Sequence, residues 1–259
     1  MNEAGTVHPA AAEGFAAGAE TYARGRPDYP PQVDEWLKTA LGLRERRVAL
    51  DLGAGTGKFT RHLVATGAHA IAVDPVPPML EQLRKLAPAA DARVGTAESI
   101  PADTSSVDVV VCSQSFHWFS TPAALAEVHR VLRPGGVLGL IWNVRDESVE
   151  WVAQLTKLIA PYEGDAPRMA SGEWHKLFPA PGFGPLRETR FLHGHTGSPE
   201  RVIVDRVLSI SFIAALPSDV RASVATQVRN LIASTPSLAN KPEVTFPYYT
   251  AAYHCVRTH

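Results

Sequence analysis

The chain has 259 residues, of which 45% are hydrophobic and 20% charged, and this is enough apolar material for a sizeable core. Its formal net charge of −1, with arginines scattered along the chain, argues against a nucleic-acid partner or an anionic membrane surface. The sequence has neither a signal-peptide pattern nor an apolar run long enough to cross a bilayer. Cys112 and Cys255 have neither the spacing of metal ligands nor that of a disulfide framework. We therefore expect a cytoplasmic protein without a metal.

The first 30 residues read as a strap or flap ahead of the main domain. Tyr22, Arg24, Arg26 and Tyr29 surround prolines that impose an extended path. This segment is either a solvated strap or a flap that folds over a ligand cleft. A helix is predicted over residues 31–41, because proline stands at its start and apolar residues follow at helical spacing.

The most informative stretch is VALDLGAGTGKFT, residues 48–60. A short apolar run ends in Asp51, and Gly53, Gly55 and Gly57 follow at alternate positions before a segment that can form a helix. This pattern predicts a strand, a glycine turn and a helix start. Glycine tolerates a positive φ and lets a ligand lie against backbone N–H groups. The alternative is an ordinary tight turn between strand and helix.

Two phosphate-binding motifs do not fit this stretch. A dinucleotide fingerprint G-x-G-x-x-G counted from Gly53 would place its third glycine at Lys58. A P-loop needs serine or threonine after Gly-Lys, and Phe59 stands there instead. What remains is an acidic residue followed by G-x-G-x-G.

The next elements alternate between helix and strand. A helix is predicted over residues 59–65, a buried strand over 68–73, and a helix over 79–86. Asp74 ends the second strand, about as far beyond the last glycine as expected for an acid that accepts hydrogen bonds from ribose hydroxyls. The alternative for Asp74 is a simple strand-ending turn with Pro75.

A third strand is predicted over residues 92–97 and a fourth, buried on both faces, over 107–112. The fourth strand leads into an aromatic loop, SQSFHWF, at the sheet edge where ligands bind in open α/β sheets. Gln114 and His117 are therefore candidate site residues. For His117, packing beside the cofactor and proton transfer are both open.

A helix over residues 123–132, a turn over 133–136 and a fifth strand over 137–142 complete the alternation. Such regularity predicts an α/β fold with a doubly wound parallel sheet. We assign residues 31–143 to this core and residues 144–259 to a C-terminal part. In the latter we predict helices over 149–162, 199–215 and 218–234, with strands over 186–195 and 244–256.

Five stretches in order carry a resemblance that covers about 110 residues: VALDLGAGTG, IAVDP, GTAESIP, VDVVVCSQSFHWF and ALAEVHRVLRPGGVLGLIWN. Together they resemble the class I S-adenosylmethionine (SAM) dependent methyltransferases, in the small-molecule branch with ubiquinone/menaquinone-biosynthesis-type and trans-aconitate-type enzymes. The resemblance implies a Rossmann-like seven-stranded sheet of order 3-2-1-4-5-7-6, with the last strand antiparallel and helical lid elements.

The resemblance also implies roles for single residues around SAM. The methionine part would lie against Asp51, Gly53 and Gly55, and the ribose against Asp74. Ala97 and Glu98 would flank the adenine, Ser113 would contribute backbone near the sulfonium, and Tyr22 would close the pocket.

The acceptor is expected to be a small molecule methylated at oxygen, in a monomer or homodimer without nucleic-acid or membrane partners. A carboxylate acceptor needs a cation to hold it, and Arg24, Arg26 and Arg145 are the candidates. A phenol or carbon acid would want a general base, and His117 is the first candidate. Apolar lining or attraction of the sulfonium charge is expected from Trp118 and Trp142.

Three other functions stay open at this point. The chain could bind SAM or a nucleoside without turnover, or methylate a macromolecule, although the sequence lacks a basic surface. A NAD-dependent oxidoreductase is disfavoured by the glycine spacing and by the absence of a recognisable catalytic Tyr-Lys pair.

Overall fold

The computed structural model describes residues 27–165 and 167–258. Seven strands form one sheet in the order β3-β2-β1-β4-β5-β7-β6. Strands β1 to β5 are parallel, and β7 runs antiparallel to both of its neighbours. The predicted fold and strand order are therefore confirmed. The strands are β1 (Val48–Leu52), β2 (His69–Asp74), β3 (Asp91–Val94), β4 (Val107–Ser113), β5 (Leu132–Arg145), β6 (Arg187–Gly197) and β7 (Val244–Val256).

The helices follow the predicted positions closely in the first half of the chain. Proline in the first turn favours two of the helix starts, and the Thr121 hydroxyl also caps one by accepting from the Ala124 N–H at 3.1 Å. The α-helices are α1 (Gln32–Thr39), α2 (Thr60–Ala65), α3 (Pro77–Leu86), α4 (Pro122–Val131), α5 (Glu150–Ile159), α6 (Arg206–Leu208), α7 (Ser211–Ala214) and α8 (Ser218–Ser234).

Helices cover both faces of the central strands. Val109 and Val111 of β4 pack in one cluster with residues of α1 and α2, whereas Val110 packs on the opposite face with residues of α4. A strand covered on both sides needs apolar residues at every position, which explains the continuous apolar run in the sequence. The carboxyl ends of β1, β2 and β4 are left at one open edge of the sheet.

A second apolar cluster lies in the C-terminal part. Residues of α5, α8 and the π-helix Glu200–Asp205 pack against Phe246 and Tyr248 of β7. The lid role that the family resemblance implies for these helical segments stays a prediction. Within the described residues, none of the helices combines the length and the apolar character that crossing a membrane requires.

Three predicted boundaries are wrong. β3 ends at Val94, so Ala97 lies in the loop that follows. The predicted turn over 133–136 belongs to β5, because Gly135 and Gly136 form backbone hydrogen bonds with Arg257. The predicted helix over 199–215 is divided into the π-helix, α6 and α7, since Ile210 adopts an extended conformation.

Candidate cofactor and acceptor site

Three candidate residues meet at the open edge of the sheet. Asp51 lies near the end of β1, Asp74 ends β2 and Ser113 ends β4. The strands are parallel, and Asp51 is in register with Ala72 on one side and Val111 on the other. The topology therefore places these three residues at one edge of the sheet, and their contacts with SAM stay predictions.

The glycine turn differs from the predicted ligand cradle in one respect: the protein itself uses its N–H groups. The amides of Gly53 and Ala54 donate to the Val73 carbonyl at 2.9 and 3.1 Å. The Gly55 amide donates to Asp74 Oδ2 at 2.8 Å. A phosphate would need these donors, so the turn suits a ligand that carries no phosphate at this position.

Glycine is required at positions 53 and 55 for different physical reasons. A Cβ at Gly53 would lie 2.6 Å from the Ser115 Cβ, so this position needs glycine for packing. A Cβ at Gly55 would meet nothing within 4 Å. Both residues have positive φ, 72° and 54°. Gly55 thus borders open space beside Asp74, where a ligand can approach the backbone closely.

Alanine at Gly55 tests whether this open space holds the cofactor. We expect Gly55→Ala to weaken binding of S-adenosylhomocysteine (SAH) at least tenfold, because the new methyl group enters the ligand's volume. Gly42→Ala is the matched control, with φ of 68° and nothing within 4 Å of its Cβ. Both variants carry a strain of about 1 kcal/mol. Equal SAH affinities in calorimetric titration would show that the ligand lies elsewhere.

Asp51 is fully buried, and its two oxygens differ. Thr60 Oγ1 donates to Oδ2 at 2.7 Å, while Oδ1 is buried without a hydrogen-bond partner in the described part of the chain. Burial first, and the neighbouring Asp74 carboxylate second, raise the pKa of Asp51 to about 7 against the opposing hydrogen bond from Thr60. A cationic group bound beside Oδ1 would favour the carboxylate form. The α-ammonium of SAM has the required charge.

Asp74 is 7% exposed, and both of its oxygens are positioned by backbone amides. Gly55 N–H donates to Oδ2, and Val76 N–H donates to Oδ1 at 2.9 Å. Burial raises the pKa of this carboxyl despite the two bonds. Each oxygen keeps a further lone pair, so the carboxylate can still accept from two ribose hydroxyls.

The predicted adenine neighbours follow β3. Ala97 is buried in the loop, and Glu98 is partly exposed beside it. A short bridge between Thr96 and Ser99 fixes this loop. The adenine contacts of Ala97 and Glu98 stay predictions.

The start of the described chain contacts the end of the sheet. Tyr29 Oη donates to Ser113 Oγ at 3.3 Å, and Asn143 Nδ2 donates to the Asp28 carbonyl at 3.0 Å. Asn143 lies two residues before the end of β5, and no sequence motif indicates its contact with Asp28. The predicted contributions of Tyr22, Arg24 and Arg26 lie outside the described residues.

His117 stands on a 3₁₀ turn after β4, and a tryptophan fixes its ring. Trp142 Nε1 donates to His117 Nδ1 at 3.2 Å. An indole N–H can only donate, so Nδ1 is the acceptor and the hydrogen of the neutral ring is on Nε2. Trp142 is 1% exposed and packs against Trp174 at 4.7 Å between ring centroids, so its ring belongs to the buried core. Trp118 is partly exposed and 5.3 Å from the His117 ring.

Arg145 ends β5 and is only partly exposed. Burial, and after it the charge of the nearby Arg206 guanidinium, lower its pKa to about 10. The Arg145 side chain forms no ion pair or hydrogen bond with another residue of the described chain. Clusters of three or more potential metal-ligating side chains are also absent from residues 27–165 and 167–258.

Comparison with known proteins agrees with this geometry. A family model described as a methyltransferase domain matches residues 50–140. An uncharacterized methyltransferase-like protein of Schizosaccharomyces pombe is 38% identical over 240 residues, which cover 92% of this chain and 93% of the relative. An uncharacterized methyltransferase of Mycobacterium tuberculosis is 43% identical over 243 residues, 94% of each chain.

Solved structures share the fold. A putative type II methyltransferase from Anaeromyxobacter dehalogenans superposes with a TM-score of 0.63 at 23% identity, covering 90% of this chain and 96% of that one. The unpartnered Asp51 oxygen, the open space at Gly55 and the Asp74 carboxylate fit the ammonium, the chain and the ribose of SAM. The relatives match nearly the whole chain, and so the protein belongs to the class I SAM-dependent methyltransferases, with SAM as its cofactor.

Proposed function

We propose that this methyltransferase acts on an oxygen atom of a small acceptor molecule, and that a carboxylate oxygen is the favoured nucleophile. The observation that carries the proposal is the hydrogen bond from Trp142 Nε1 to His117 Nδ1. It makes the histidine of the aromatic loop a donor at Nε2, whereas abstraction of an acceptor proton requires an unprotonated nitrogen.

A carboxylate acceptor needs no such base. SAM, when bound, supplies a methyl group on a sulfonium, which is already electrophilic. The protein then has to hold the acceptor oxygen in line with that methyl group and to exclude water. A carboxylate also needs a cationic partner that holds and orients it. Arg24 and Arg26, on the segment that precedes Pro27, are candidates for holding its charge.

The arrangement of the lid supports a small acceptor. The helical segments α5, α8 and Glu200–Asp205 pack on β7, next to the end of β5, and form an apolar cluster there. A near-neutral net charge of −1 gives no attraction to a polyanionic macromolecule. Methylation of a macromolecule and SAM binding without turnover are the two outcomes that the following experiment separates from this proposal.

The test is a screen of small carboxylic acids and phenols with SAM, in which mass spectrometry identifies methyl esters or ethers. We then compare His117→Gln with wild type. Glutamine can accept from Trp142 but cannot take a proton, so we expect kcat within tenfold of wild type and an unchanged pH profile. His69→Gln is the matched control, since His69 is exposed at the start of β2.

Two results would contradict the proposal. A loss of about 100-fold or more in kcat together with a lost pH dependence would make His117 the general base. SAH binding without a methylated product from any small acid or phenol would favour one of the two other functions.

A further inference from the structure

A row of polar side chains crosses three neighbouring strands beyond the cofactor edge. Arg145 on β5 is directly opposite Tyr248 on β7, and Tyr248 is directly opposite His193 on β6. Residues that face each other in this way project from the same side of a sheet. His195 lies two residues beyond His193, so it shares that side. The Tyr248 and His193 rings are 6.3 Å apart between centroids.

Arg206 of α6 belongs to the same group, because its neighbour Val207 packs in one cluster with Tyr248 and its charge lowers the pKa values of both Arg145 and His195. Several polar atoms of the group are buried, and none of them has a hydrogen-bond partner within the described residues. They are Arg206 Nε, Arg206 Nη1, Tyr248 Oη, His193 Nε2 and His195 Nδ1. Each buried polar atom left unpaired costs about 1–3 kcal/mol. Such a concentration in one place is typical of a binding site rather than of a sealed core.

The charged members of this group are cations, and Glu147, which lies near Arg145, offsets their charge only in part. Arg168 also lies near Arg145, but it forms an ion pair with Glu163, which neutralises it. The guanidinium groups of Arg145 and Arg206 have no carboxylate partner in the described chain. Burial and the surrounding cations, Lys58 first among them, lower the pKa of His195 to about 4. His193 has a lowered pKa for the same two reasons. Both imidazoles are therefore neutral at pH 7, and each can donate one N–H.

The group lies too far along the sheet to hold the reacting oxygen. Ser113, next to the expected methyl-transfer position, is in register with Ile141. Arg145 follows Ile141 by four residues, which is about 13 Å along a strand. An anion held between Arg145 and Arg206 is thus separated from the methyl group by most of the length of a small molecule.

We propose that the acceptor carries an anionic group at the end opposite its reacting oxygen. Arg145 and Arg206 bind this group, and Tyr248 Oη and His193 donate hydrogen bonds to it. The inference rests on the proposed methylation of a small acceptor and specifies its chemical class. A carboxylate, a phosphate and a sulfate share the required charge and acceptor oxygens.

Anion binding can be tested without turnover. SAH-saturated protein is titrated with acetate, inorganic phosphate and inorganic sulfate at constant ionic strength, and thermal unfolding reports the binding. At least one anion should stabilise wild type relative to chloride. Arg145→Met and Arg206→Met should each weaken that anion at least tenfold, whereas Arg44→Met, at an exposed arginine, should not. The anion that binds best identifies the group on the acceptor.

Folding of the variants is itself informative. Removal of either unpaired guanidinium relieves repulsion, so both variants should be at least as stable as wild type without anion and should bind SAH equally well. No stabilisation of wild type by any of the three anions, or equal stabilisation of all four proteins, would overturn the inference. These readouts do not depend on methyl transfer, so an unsuccessful acceptor screen would affect the proposed function alone.

Discussion

Asn in place of Asp74 should weaken SAH binding by about 100-fold. Hydrogen bonds to a charged group contribute about 1.5–3 kcal/mol each, and the carboxylate is positioned to accept from the ribose hydroxyls. Asparagine has one acceptor oxygen, so its NH₂ group would face the N–H of either Gly55 or Val76, which now donate to the two carboxylate oxygens. The glycine turn would lose an anchor as well. Calorimetric titration with SAH measures the effect.

The matched control is Asp103→Asn, because Asp103 is exposed and distant from this turn in the sequence. It should bind SAH as wild type does. Far-ultraviolet circular dichroism and the melting temperature establish that the Asp74 variant is folded. A folded Asp74→Asn protein with wild-type affinity would show that another residue holds the ribose.

SAH binding should also depend on pH through Asp51. In the free protein its pKa is about 7, so the carboxyl is largely protonated at pH 6 and ionised at pH 8. The ammonium of the ligand favours the ionised form. Affinity should therefore fall as pH decreases below 7, by up to about tenfold per pH unit, and binding should release a proton. In Asp51→Asn this dependence should disappear, with about 10- to 100-fold weaker binding at pH 8.

The pH dependence of the stability of the ligand-free protein should be opposite in sign to that of SAH binding. The pKa of Asp51 is higher in the folded protein than its ordinary value of 3.8, so the folded state favours the protonated form. This group's contribution to stability is complete below about pH 4 and is lost as pH rises through 7. Asp51→Asn should thus unfold at a higher urea concentration than wild type at pH 8 in the absence of ligand. A variant that keeps the wild-type pH dependence of both binding and unfolding would show that Asp51 does not titrate in this range.

The fold was predictable because each central element has a strong local pattern. The VDVVVC run, buried on both faces of β4, and the prolines at the starts of α3 and α4 are signals that tertiary contacts reinforce. The errors arose where long-range pairing overrides local preference. Gly135 and Gly136 favour a turn on their own, but they form backbone hydrogen bonds with Arg257, which is far away in the sequence.

The cofactor side of the site was predictable for a related reason. Asp51 and Asp74 stand at strand ends, and topology alone brings the ends of parallel strands together. The use of the glycine-turn amides by Val73 and Asp74 was not predictable, because the motif gives residue types and not hydrogen-bond directions.

The polar row on the acceptor side has no linear signature. Arg145, His193 and Tyr248 follow one another at intervals of about 50 residues, and only the pairing of β5, β7 and β6 places them side by side. An antiparallel strand shifted by one residue would move these side chains to the opposite face. Sequence reasoning selected Arg145 for its position after β5, but it gave no reason to connect it with two histidines of an edge strand.

The continuity of β5 suggests how members of this family could be retargeted. The methyltransferase domain model matches residues 50–140, whereas strand β5 runs on to Arg145. One continuous strand therefore joins the part of the chain that the methyltransferase domain model matches to the residues that we propose for acceptor binding. Chimaeras that exchange residues 144–258 with a relative should inherit the donor's acceptor preference and keep their own SAM affinity. In such a chimaera most of β5 comes from one protein and β7 from the other, so the side chains of the two strands have to match where the strands pair.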